Sequence, residues 1–125
     1  MKSLPVAWDI IVFGVVMIVS GMADLYIIVR HPLYSLPFFG TTLQGISGAL
    51  IKGVHPVIHF VSGYGAIYGR RWAYRLFMAY AAYGLVNAMV NRLLLPPPHR
   101  IRTIFMIGTL IVAVYLILRK KQFER

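Results

Sequence analysis

Four stretches of this chain, residues 6–29, 45–69, 72–95 and 101–118, are made mostly of apolar side chains, and short segments dense in proline and basic residues separate them. About 20 apolar residues in helical conformation cross the hydrocarbon layer of a bilayer. With four such runs in 125 residues, nothing is left for a water-soluble domain. The expected fold is therefore a single all-α integral membrane domain of four transmembrane helices. A hydrophobic fraction of 59% is more than a soluble domain of this size can hide.

The first run also imitates a signal peptide, with Lys2, an apolar core and the small-residue site Gly21-Met22-Ala23. Apolar sequence continues past that site through Ile28, so a retained span is expected. Residues 30–43 hold two prolines, paired Phe and a Tyr without helical period, and read as an ordered interfacial loop. Pro56 is expected to kink the second helix or begin a new segment. Arg70 and Arg71 make a very tight turn, Pro96-Pro97-Pro98 ends the third run, and the fourth helix is expected to begin in the basic loop before Thr103. Gly69-Arg70-Arg71-Trp72-Ala73 resembles the short basic turns of many small bacterial four-span proteins; this resemblance implies no activity.

Thirteen Lys and Arg stand against Asp9, Asp24 and Glu124. In a soluble protein that excess would suggest nucleic acid, but here the bases cluster at the ends of apolar runs, which is the pattern of membrane topology. Lys2, Arg70, Arg71, Arg75, Arg119, Lys120, Lys121 and Arg125 fall on one side, and Arg30, Lys52, Arg92, Arg100 and Arg102 on the other. Eight against five places both termini in the cytoplasm. Arg70, Arg71, Trp72, Arg100, Arg102, Arg119, Lys120 and Lys121 are expected to meet anionic phospholipids or a partner. The expected location is a prokaryotic inner membrane. Cysteine is absent, which removes disulfides, thiolate metal sites and thiol nucleophiles together.

Within the second run, alternate steps of three and four residues connect Gly45, Gly48, Lys52, His55, His59, Ser62, Ala66 and Gly69, none of them a large apolar residue. On a helix these steps trace one seam. By height, at 1.5 Å per residue, Asp24 falls roughly 10 Å and Lys52 roughly 7 Å outward of the middle of their spans, Asn87 and Asn91 roughly 5 to 11 Å outward, and both histidines close to the midplane. Asp24, Lys52, His55, His59, Asn87 and Asn91 are therefore expected to form one intramembrane polar cluster, with Asp24 and Lys52 paired, because a charge in hydrocarbon costs about 2.5–3.5 kcal/mol unless compensated.

Gly45, Gly48, Ser62, Ala66 and Gly69 suit close helix packing. The role that follows is a non-catalytic accessory or scaffold subunit, binding lipids and a larger membrane complex through this seam. The alternative is a small oligomeric ion, proton or solute transporter, or a haem or metal anchor. His55 and His59, four apart, share a helix face and suit metal ligation, although two histidines on adjacent turns cannot both be axial ligands of one haem. No serine elbow, phosphate-cradling glycine loop or carboxylate-rich motif is present, and neither catalysis nor a resident cofactor is expected.

Overall fold

In the computed structural model, residues 6–31, 36–97 and 99–124 are described. Lys2, Arg125, Pro98 and residues 32–35 of the expected interfacial loop lie outside them. The chain runs α1 (Trp8–Arg30), β1 (Leu36–Phe38), β2 (Thr41–Leu43), α2 (Gly45–Ile67), α3 (Arg71–Leu94) and α4 (Arg100–Leu118), and ends in a 3-10 turn, Lys120–Phe123. These helices match the four apolar runs to within two residues, and α4 does begin in the basic loop. Two of them, α1 with 23 residues and α4 with 19, are long and apolar enough to cross a membrane, each at a mean hydropathy of 2.3. The other two are as long, but they carry the polar residues.

Each helix runs antiparallel to the one before it. Closest are α1 and α2, where glycine meets glycine. A Cβ on Gly14 would lie 2.7 Å from the Gly63 carbonyl oxygen, and one on Gly63 would lie 2.5 Å from that of Gly14. Two turns on, Gly21 makes room for Phe60 and the Cβ of His59. Small residues let backbones approach this closely, and the dispersion gained across such contacts holds apolar helices together.

Gly69 makes the expected tight turn between α2 and α3. Its φ is +64°, a conformation open to glycine, and the hydrogen bonds Gly69 N–H to Ala66 O and Arg70 N–H to Gly65 O close a Schellman cap. A side chain on Gly65 would meet Trp72 and Ala73, so the start of α3 folds directly onto the end of α2. Pro56 does not end α2: the helix continues through it, and the proline is buried. Lacking an N–H, Pro56 leaves out the ladder bond that would end on the Lys52 carbonyl.

Inside the expected interfacial loop, β1 and β2 pair as an antiparallel hairpin with Leu36 opposite Leu43 and Phe38 opposite Thr41. Phe39 and Gly40 at its tip have φ of +47° and +85°, the two positive values of a type I′ turn.

The apolar core joins Ile10 and Met17 of α1, Ala66 of α2, Phe77 and Ala81 of α3, Ala113 and Leu116 of α4, and Phe123. Phe13 meets Phe77 edge to face at 5.1 Å. All of these belong to the half of the bundle that contains the start of α1 and the end of α4. The other half surrounds a hollow lined by polar side chains.

Candidate functional site

Asp24, Lys52, His55, His59, Asn87 and Asn91, expected to cluster, line one cavity of about 370 Å3 in the hollow half. α4 adds Arg102 and Phe105, α3 adds Tyr80, Tyr83 and Gly84, and Pro37 of the hairpin completes the wall. Periodicity puts these side chains on inner faces: on α3, positions 80, 84, 87 and 91 repeat at helical spacing. Lys52 is 5% exposed and Asn91 3%, so these two side chains are turned away from the perimeter, whereas Arg75 and Arg92 of α3 are exposed.

Within the cluster, three helices are joined by contacts between polar side chains. Asp24 Oδ2 lies 3.7 Å from His59 Nε2, and that same nitrogen is 3.0 Å from the Tyr80 hydroxyl. Asp24, His59 and Tyr80 therefore form one chain across α1, α2 and α3. Lys52 lines the same cavity as Asp24. His55 stands among aromatic rings, with centroids 5.9 Å from Tyr80 and 6.0 Å from Tyr83. Among the described residues, no group of three His, Asp or Glu comes together as a metal centre requires, so His55 and His59 do not form one with Asp24.

Asn87 and Asn91 face the cavity and also hold its roof. Asn87 Oδ1 accepts the Phe39 N–H at 2.8 Å, and Asn91 Oδ1 accepts the Gly40 N–H at 2.7 Å. Both amides at the hairpin tip are thereby satisfied on α3, and Gly40 packs against Leu94.

The small-residue seam is largely used within the chain. Gly48, Ser62, Ala66 and Gly69 are buried, Ser62 and Ala66 almost completely, whereas Gly45 is exposed. Gly48 backs onto the Leu43 carbonyl of β2, and Gly63, one step off the seam, makes the backbone contact with α1. α1 and the hairpin thus cover much of the seam within the chain.

The basic residues divide. Arg70, Arg71, Arg100, Lys120 and Lys121 are exposed. Trp72 is 44% exposed and covers Gly65, and Lys120 Nζ stands 5.9 Å from the Tyr74 ring centroid. Arg102 is drawn inward to the cavity, where one of its nitrogens bonds Pro96 O and His99 Nδ1 at 3.3 and 3.1 Å. Arg119 is engaged by Asp9, which accepts from its Nε and Nη2, each at 2.9 Å, and from the Tyr115 hydroxyl. That bonding raises the Arg119 pKa above the ordinary arginine value. Ala7 N–H donates to Gln122 Oε1 beside it, and together these contacts tie the two chain ends. Sequence reasoning missed this clasp. Its available signal was an even number of antiparallel helices, which returns the last turn of α4 to the level of the first turn of α1.

The class defined by fold and site is a helical bundle with two helices apolar enough to cross a membrane and a polar cavity in one half. No known protein family, curated protein or solved structure matches the chain.

Proposed function

We propose that the chain is an integral protein of a prokaryotic inner membrane, with all four helices crossing the bilayer and both termini cytoplasmic, and that it acts without catalysis by holding a small ligand. The observation that carries this reading is the convergence of Asp24, Lys52, His55, His59, Asn87, Asn91 and Arg102, from four helices, on one volume of about 370 Å3. Small-molecule sites run from roughly 300 to 1,000 Å3. Polar and ionisable groups at membrane depth are kept where they meet one another, water or a ligand. Crossing by α2 and α3 is supported by their length, by the inward placement of Lys52, Ser62 and Asn91 and by the tight turn at Gly69.

Packing alone is a weaker account of the cluster, because these side chains surround a space instead of filling it. Transport of an ion, proton or solute would use the same walls. A haem or metal role at His55 and His59 would need ligands from elsewhere.

A second reading, the accessory or scaffold subunit, is favoured by α4. Only 11% of its apolar window is buried. Lipid or a partner subunit covers such a face equally well, and anionic phospholipids suit the exposed bases.

The test is purification in mild detergent followed by native mass spectrometry and an absorption spectrum. The ligand reading expects a bound small molecule that is lost when Gly84→Leu fills the cavity. A stoichiometric second protein with no small molecule would overturn it in favour of the accessory role.

A further inference from the structure

Building on the ligand-binding reading, we infer that the occupant is a single-chain amphiphile, its anionic, oxygen-rich head in the polar cavity and its hydrocarbon tail between α1, α3 and α4. A second cavity of about 350 Å3 abuts the first, and both are lined by His59, Tyr80, Gly84 and Phe105. Its remaining wall is chiefly Phe13, Val16, Met17, Phe77, Ala81 and Val112, with Ser20 and Thr109 at its polar points. A volume that carries the ionisable side chains thus adjoins an apolar one of nearly equal size. The chemistry that satisfies both is a head and a tail joined in one molecule.

The head is specified by the charges and donor groups that line the polar walls. Because Asn87 and Asn91 spend their Oδ1 atoms on the hairpin amides, their side chains have NH2 groups to give. Lys52 and Arg102 carry donors and no acceptor. Asp24 is turned to His59, and the His59 nitrogen to Tyr80. Two cations against one carboxylate leave the lining at one net positive charge, from Lys52 and Arg102 less Asp24. Donor-rich and positive walls select an oxyanion such as a carboxylate or a phosphate.

Gly84 marks the junction. Its Cβ position would meet only the Phe105 ring, at 3.6 Å, which is ordinary contact. Alanine therefore fits there, and a longer side chain projects into the passage between the two cavities.

The test uses the full chain in phosphatidylcholine nanodiscs with radiolabelled palmitate as probe. Saturable binding is expected, displaced by unlabelled palmitate or by a lysophosphatidate, and by neither acetate nor inorganic phosphate at the same concentration. Whichever long-chain oxyanion displaces at the lower concentration identifies the source of the head. Gly84→Leu should abolish binding while Gly84→Ala retains it, both with an unchanged helical spectrum. Arg102→Gln should weaken binding about tenfold. Acetate or phosphate binding as well as palmitate would overturn the tail and leave the ligand reading standing. Hexadecanol competing equally would overturn the anionic head. Failure of every probe to bind would overturn this inference, while the native mass spectrum decides the ligand reading by itself.

Discussion

The Asp9 carboxylate, in the first turn of α1, accepts two hydrogen bonds from the guanidinium of Arg119, one residue past the end of α4. A bidentate pair of this kind fixes direction as well as distance. It joins the first helix to the last, closing a loop that contains nearly the whole chain. Asp9→Asn and Arg119→Gln should each lower the thermal midpoint in detergent. The exchanged double variant, Asp9→Arg with Arg119→Asp, should recover part of the loss. Equal loss in the double variant would mean that the clasp contributes nothing as a pair.

Glycines on α2 should respond in opposite directions. Gly63→Ala drives a methyl into the Gly14 carbonyl, and forced overpacking of this kind costs about 1–3 kcal/mol. Gly53 has open space where its Cβ would stand, so Gly53→Ala should be neutral or stabilising by up to about 1 kcal/mol through helix propensity. Unfolding titrations of the two variants side by side check the contrast.

Removal of the hairpin's anchor should loosen the roof before it unfolds the bundle. Asn91→Ala leaves the Gly40 N–H without its acceptor, a loss of about 1–3 kcal/mol where the group is buried. Asn91→Asp keeps an acceptor oxygen in place and should retain most of the protection. The measurement is hydrogen exchange at the Gly40 amide, with Asn87→Ala expected to act less strongly because that bond is exposed.

Topology is directly testable because the chain has no cysteine. Thr42→Cys on the exposed hairpin should react with a membrane-impermeant maleimide in intact cells, whereas Lys121→Cys should react only after permeabilisation. The reverse pattern would invert the proposed orientation. Labelling of both sites in intact cells would remove the even number of crossings.

Sequence analysis could reach the helices because their bounds are written in runs of apolar residues and in the breaks at Gly69 and Pro96. It also reached the membership of the polar cluster, since height along a helix follows from counting residues. Rotation about each axis is a finer quantity. Helix rotation decided that Asp24 meets His59, and that Gly63, beside the seam, is the residue touching α1. Gly14 and Gly21, two turns apart in α1, were a readable sign of that contact. The hairpin was hidden for another reason: its tip places Phe39 at a positive φ, where Asn or Gly is the usual signal. A bulky residue holds that conformation only when its surroundings fix it, and the bond to Asn87 is part of what fixes it.

The uneven filling of the bundle gives it a mechanical character. With Phe77, Leu116 and Phe123 wedged together at the clasped end, the helices resemble the tines of a fork set in its handle. A widening of the open end would part Asp24, Tyr83 and Arg102, while Asp9 and Arg119 hold the handle together.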